Sequence, residues 1–303
     1  MVRTLREMDD AAVVAVASPT PGRAEAFAAE WDIPVPCTSV AALADVGIDA
    51  AYIGSSNHRH AGDAAALLAG KLPILCEKPL ATTAFETEEM IATAVANQVF
   101  MMEAMWMRFL PFWSRLVDLI ENDAIGPVRM IRADFGMRAE TDPSRRWFNP
   151  AQGGGALLDV GIYPVSLAVA LAGVPQSIQA AATKTRTGVD AQVGMVFRHD
   201  EDVLSILDCS FVADTPISAV VSGPEGRIVL EPVFFNTQQL TLQRGGFDPE
   251  IIDVGYEGSG YRFEVEEVHE CLAAGQTEST VRPLSDTLEV MKVLDRVRAT
   301  ALG

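Results

Sequence analysis

The sequence predicts an α/β chain: a doubly wound parallel sheet followed by an α+β domain with a large, mostly antiparallel, open-faced sheet. Three observations carry this reading. Over residues 1–105, short apolar runs alternate with helical stretches of about 10–15 residues, the rhythm of βαβ units. Beyond residue 125 the rhythm changes to successive strand-like segments separated by turn residues, several of them alternating apolar and polar. The chain then closes on two amphipathic stretches near 260–274 and 284–300. The expected organisation is a doubly wound domain over 1–105 and an α+β domain over 106–303.

Each element has its own signal. Val2, Leu5 and Met8 recur at helical spacing. "AAVVAVAS" (11–18) reads as a strand. Residues 22–33 read as a helix with Ala24, Phe27 and Ala28 on one face. "IDAAYIGS" (48–55) is a buried strand, 60–71 a helix ended by Gly70, and 72–79 a strand closed by Pro79. Residues 84–98 read as a helix and 99–105 as a strand. In the second half, strands are expected over 128–138, 178–188, 189–200, 202–214, 218–232 and 238–246.

Composition narrows the function. Of 303 residues, 49% are hydrophobic, enough for a sizeable core, and the net charge of −18 disfavours nucleic acid and anionic membrane surfaces as partners. No membrane span and no signal pattern are expected. Cys37, Cys76, Cys209 and Cys271 fit neither a metal-ligand spacing nor a disulfide scaffold, which points to reduced thiols and a cytoplasmic protein. His58 and His60 are two apart, which suits no helical metal pair, so no metal is expected.

Ligands of open α/β sheets bind outside the carboxyl ends of the strands. That selects Ser18, Ser55–Asn57, Glu77–Pro79 and the segment after Met105. "CEKPLATT" (76–83) sets Lys78 at such a strand end, beside Pro79, where a cation would face a reacting oxygen. "GGGALLDVGIYPVSLAVALAG" (153–173) has three glycines that permit close backbone approach, then an apolar helix. Asp159 and Tyr163, four apart, would share a face of it, with a kink expected near Gly161–Pro164. In "GSSNHRH" (54–60), ligand contact by Ser55, Asn57 and His60 and capping of the next helix are equal alternatives. "EAMWMRFLP" (103–111) is a core aromatic cluster or a polar pocket around Arg108. "DPSRRWFNP" (142–150) is a polar loop with Arg145 and Arg146.

Taken in order, these motifs resemble the Gfo/Idh/MocA family of NAD(P)-dependent oxidoreductases. "EAMWMRFLP", "DPSRRWFNP" and "GGGALLDVGIYP" look like its dihydrodiol dehydrogenase / NADP-dependent D-xylose 1-dehydrogenase branch, and "GYRFEVEEVHECLAAG" extends the similarity to the C-terminal part. The resemblance implies a Rossmann, dinucleotide-binding domain over 1–105 and an open-faced sheet domain over 106–303 for substrate binding and dimerisation. It implies hydride transfer between a nicotinamide and a carbinol of an aldose or trans-dihydrodiol. Tyr163 would be the acid/base, Lys78 its assisting cation, and Asp159 the third member of the catalytic set. Ser18, Thr20, Arg23, Ser55, Asn57, His60, Glu77, Lys78 and Pro79 would contact the cofactor. Trp106, Arg108, Arg146 and Phe148 would line the substrate pocket. A homodimer through the open sheet is also implied.

Two departures qualify the expectation. The family's first strand and G-x-G-x-x-G turn do not precede residue 2, so the chain reads as a truncated Rossmann unit that binds cofactor poorly. The strand over 11–18 ends in Ser18-Pro19-Thr20, without the carboxylate that would bond the ribose of NAD, so NADP is favoured, with NAD the alternative. The competing reading is a cofactor-impaired relative acting as a sensing or partner-binding protein.

Overall fold

The computed structural model of the chain describes residues 1–139, 142 and 144–303. Pro143, inside the 142–150 loop singled out above, lies outside the described residues. Two compact units emerge. The first comprises 1–81, 85–106 and 259–284, and the second comprises 82–84, 107–258 and 285–303.

The first unit alternates strands and helices as its sequence rhythm demands. Helix α1 (Val2–Arg6) precedes strand β1 (Ala15–Ala17), α2 (Arg23–Glu30) and β2 (Val35–Cys37). Strand β3 (Ala51–Ile53), α3 (His60–Ala69), β4 (Ile74–Glu77), α4 (Ala84–Asn97) and β5 (Met101–Ala104) follow. All pairings are parallel: β1 with β2 in one small sheet, and β3-β4-β5 in another. Strand β4 is near-continuously apolar because it is covered on both faces, and Ile74 and Cys76 are fully buried.

The expected boundary at 105/106 misses one part of this unit. Residues 259–284, with helix α7 (Arg262–Ala273), pack here and not with the second half. The reason is a set of specific contacts. Met101 N–H donates to Thr277 O at 3.1 Å, Trp106 lies 4.8 Å from the Tyr261 ring, and the Arg282 guanidinium meets Glu103 at 2.7 Å.

The second unit opens with α5 (Pro111–Glu121), whose proline sits in the first turn where no N–H is needed. Strand β6 (Met130–Gly136) follows, then α6 (Ile162–Ala172), β7 (Ser177–Lys184), β8 (Asp190–Arg198) and β9 (Leu204–Ser210). Strands β10 (Ala219–Gly223), β11 (Gly226–Leu230), β12 (Gln239–Arg244) and β13 (Glu250–Asp253) come next, and α8 (Leu284–Leu302) closes the chain. The single strand expected over 218–232 is two, because Pro224 and Glu225 turn it into a hairpin.

The eight strands form one sheet in the order β13-β12-β11-β10-β6-β9-β8-β7. Only β6 and β9 run parallel; the other pairs are antiparallel. Burial alternates along β8 and β9, with Met195, Phe197, Leu207 and Cys209 inside and Val196, Leu204 and Ile206 outside. That is the signature of a sheet covered on one face. One helical stretch, 150–172, is by length and composition apolar enough to cross a membrane. It is 83% buried, as the core helix of this unit. The four cysteines are buried free thiols.

Candidate active site

In the first unit, the chemistry-bearing residues gather at the carboxyl ends of β3 and β4. Lys78 follows β4 directly and is partly exposed, in a cis peptide with Pro79. Its loop is fixed on each side. Upstream, Glu77 receives the Tyr52 hydroxyl on one carboxyl oxygen and the Lys78 N–H on the other. Downstream, Leu80 N–H donates to the buried carboxylate of Glu103 at 3.1 Å. Glu103 in turn holds Arg282, both 1% exposed. The loop after β3 is fixed in the same way: Ser55 Oγ donates to Asp63 at 2.7 Å, and Arg59 pairs with the same carboxylate at 2.9 Å.

Asn57 is buried at the turn that leads into α3, and His60 is fully buried, its ring nitrogens 3.0 Å from the carbonyls of Ser55 and Pro79. At the end of β1, Ser18 N–H donates to Cys37 O, and Ser18 Oγ accepts from Thr20 N–H at 3.2 Å. Thr20 and Arg23 are exposed beside it.

Glu264, on α7, was not singled out by its sequence. It is completely buried, and neither carboxyl oxygen has a hydrogen-bond partner. Burial first, and the charge of Glu77 next, push its carboxyl well above the usual range, which favours the neutral acid. The same burial and the Glu77 carboxylate push the Tyr52 phenol upward. A buried acid with both oxygens open fits a polar ligand group that can donate and accept, such as a ribose hydroxyl or a carboxamide. Glu264 lies in a charged, amphipathic helix pattern, which disguises it as a solvent-facing residue.

In the second unit, Gly153–Gly155 lead into a π-helical turn, Leu157–Gly161, that continues into α6. This is the irregularity expected near Pro164. A regular turn would drive the proline ring into the Val160 carbonyl, and the wider turn relieves it. Gly155 has φ +128°, and a Cβ there would sit 2.2 Å from Asp190 Oδ1. The close approach has a purpose: Asp190 Oδ2 accepts Leu157 N–H at 2.6 Å and so caps the turn. Asp190 is buried, and burial raises its carboxyl pKa despite the peptide bonds it accepts. It was also missed, because it lies 33 residues away at the start of β8.

Asp159 meets Arg146 at 3.2 Å, and Arg146 lies over Trp147. Tyr163, 6% exposed, stacks on Phe235 with centroids 4.5 Å apart and tilts against Phe135 at 5.7 Å. Phe235 is a further neighbour that its position in the chain does not reveal. Arg108 lies 4.4 Å from the Trp113 ring and 3.5 Å from Asp286, so the aromatic cluster and the polar pairing expected after Met105 are both present. Phe148 is 2% exposed and packs on Phe211, an ordinary core position. Trp106 belongs to the first unit, against Tyr261. Arg145 pairs with Asp142 at the surface.

Among the described residues, no group of three His, Cys, Asp or Glu is arranged to hold a metal. A surface groove of about 420 Å³ lies at the opposite ends of β4 and β5, lined by Lys71, Pro73, Phe100 and Thr277, away from Lys78.

Comparison with known proteins bears on both units. Residues 2–105 match a model described as an oxidoreductase family, NAD-binding Rossmann fold, and residues 113–229 match a GFO/IDH/MocA C-terminal domain. The chain is 34% identical to trans-1,2-dihydrobenzene-1,2-diol dehydrogenase of Mus musculus, over 94% of this chain and 87% of that protein. It is 34% identical to the Homo sapiens protein of that name over the same shares. Among solved structures, aldose-aldose oxidoreductase from Caulobacter crescentus superposes with a TM-score of 0.89 at 23% identity, covering 99% and 92% of the two chains. Levoglucosan dehydrogenase in complex with NADH and levoglucosan gives 0.86 at 20% identity, covering 96% and 88%.

Proposed function

Because the chain belongs to the Gfo/Idh/MocA oxidoreductase family, we propose that it is a nicotinamide-dependent dehydrogenase that oxidises a carbinol of a trans-dihydrodiol or an aldose. The observation that carries the reading is the pair of anchored motifs: Lys78 on a loop locked by Glu103, and Asp159–Tyr163 on a turn locked by Asp190. The substrate class follows the relatives' names, trans-dihydrodiol first.

A bound nicotinamide would supply the acceptor for hydride from the carbinol carbon. The protein's own task is then the proton on the carbinol oxygen. A free tyrosine titrates near ~10. A neighbouring lysine cation favours its phenolate and stabilises a developing alkoxide. In this reading Tyr163 takes the proton and Lys78 assists, and in the reverse direction Tyr163 returns it. Asp159, tied to Arg146, keeps the turn before Tyr163 in place.

For the cofactor, Glu77 and the open acid of Glu264 suit ribose or carboxamide groups, and Ser55 and Asn57 lie at the neighbouring strand end. Ser18, Thr20 and Arg23 offer no carboxylate to repel a 2′-phosphate, which supports NADP over NAD. The outward Val196, Leu204 and Ile206 support a homodimer through the sheet; light scattering at the mass of one chain would reject it.

The test is direct. The protein is mixed with NADP or NAD and either trans-1,2-dihydrobenzene-1,2-diol or a panel of aldoses, and nicotinamide absorbance is followed. Reduction with the diol or one sugar is expected, faster with NADP. Nucleotide binding without turnover on any of them would favour the sensing alternative.

A further inference from the structure

Four histidines are present, and two of them are buried in contrasting settings. His199 places Nδ1 2.8 Å from Gly173 O and Nε2 2.8 Å from Ser205 Oγ. A hydroxyl can donate, so the neutral ring satisfies both contacts: Nδ1–H donates to the carbonyl and Nε2 accepts from the serine. Burial favours that neutral form.

His60 differs in one decisive respect. Its ring is 0% exposed, and both nitrogens face backbone carbonyls at 3.0 Å, Pro79 O at Nδ1 and Ser55 O at Nε2. Neither partner can donate. A neutral imidazole has one N–H, so it would bond one carbonyl and turn a lone pair toward the other. Only the imidazolium satisfies both. The two carbonyls belong to the two loops that carry the ligand-end residues of the first unit, the one after β3 and the one after β4. Ser55 is gripped again through its hydroxyl by Asp63, one turn along α3 from His60, so a carboxylate lies on the same side of the helix as the ring.

We propose that His60 is a positioning residue: as the doubly protonated ring it ties the Ser55 loop to the loop that presents Lys78. This rests on the reading of Lys78 as the working cation of the site, but the tie itself can be measured without turnover. The ionisable groups on the elements beside α3 include Asp45 on the 41–45 turn, Tyr52 on β3, His58 and Arg59 before the helix, Cys76 and Glu77 on β4, and Glu86 and Glu89 on α4. With Asp63, and with Lys78 and Glu103 around the Pro79 loop, they set the field at the ring.

The ring nitrogens are observed by 15N NMR on the intact chain at neutral pH, with His60 assigned by its loss in His60→Gln. Two protonated ring nitrogens at His60, against one at His199, are expected; a single N–H at His60 would overturn the proposal. Amide exchange supplies the second reading. Relative to wild type, His60→Gln should speed exchange at Leu80 at least about tenfold, whereas exposed His58→Gln should leave it unchanged. Equal exchange in both variants would also overturn it. Should His60→Gln not fold, replacing His58 and His269 leaves two buried rings whose proton counts decide the matter. If turnover is present, His60→Gln should lower kcat by roughly 10–100-fold, as loss of an orienting partner does. Ring protonation without any turnover would fault the dehydrogenase reading and leave the tie standing.

Discussion

In the first unit, the backbone two residues after Lys78 donates to Glu103; in the second, the backbone two residues before Asp159 donates to Asp190. Both carboxylates come from a neighbouring strand, and both are buried. They differ in what balances them. Glu103 faces Arg282 at 2.7 Å in a pair sealed from solvent. Asp190 is held by peptide N–H groups, with a weaker attraction from Arg298, and burial pushes its pKa upward. The comparison teaches that a strand-borne carboxylate can lock a loop with or without an ion pair. The ion pair makes the lock more brittle: losing one partner strands a buried charge, whereas Asp190 can take up a proton.

The largest effect should come from breaking the pair. Arg282→Leu leaves Glu103 uncompensated and should cost roughly 3–5 kcal/mol, read as a lower urea midpoint. Adding Glu103→Leu should recover part of that loss; no recovery would mean that the guanidinium acts through other contacts. In the second unit the sensitive point is the glycine that makes room for the lock. Gly155→Ala brings a Cβ to within 2.2 Å of Asp190 Oδ1 at a positive φ, and should destabilise by about 2–3 kcal/mol. A neutral result would show that the turn has slack.

The smallest expected effect is a gain on the open sheet face. Asp208 lies directly opposite Asp134 on the parallel pair β6 and β9, and its carboxyl is raised by burial first and by Asp134 second. A carboxyl whose folded pKa is raised gives its full stability at low pH and loses it as pH rises through the folded value. Asp208→Asn should therefore stabilise at pH 7, by only a few tenths of a kcal/mol because solvent screens the partly exposed pair. The gain should vanish as pH falls below the ordinary carboxylate range near ~4. Thermal melts at the two pH values check it.

Architecture was legible because it follows from local rhythm. The βαβ alternation, the later run of strands and the closing helices are all encoded within windows of a few residues. The motif positions were legible too, since strand ends, Pro79 and the glycine run punctuate the chain. What escaped was the support. Glu103 and Arg282 are 179 residues apart and Asp190 lies 33 from Leu157, separations that no local pattern reports. Burial without a partner at Glu264 is visible only once α7 is packed. The order of the eight-stranded sheet, with β6 between β9 and β10, likewise depends on non-local pairing. Phe148 was placed in a substrate pocket by the resemblance and Arg108 by its aromatic neighbours in the chain; the partners they meet, Phe211 for the one and Trp113 with Asp286 for the other, were not legible from either.

The central claim is that Tyr163 handles the proton of a hydride transfer. The most direct measurement compares wild type with Tyr163→Phe for oxidation of trans-1,2-dihydrobenzene-1,2-diol, together with nucleotide affinity by fluorescence titration. Loss of the hydroxyl leaves the ring to stack on Phe235 and Phe135, so the fold and the nucleotide affinity should stay near wild type. kcat should fall by about 10²–10⁴-fold. Turnover equal to wild type in a folded, nucleotide-binding Tyr163→Phe protein would contradict the account.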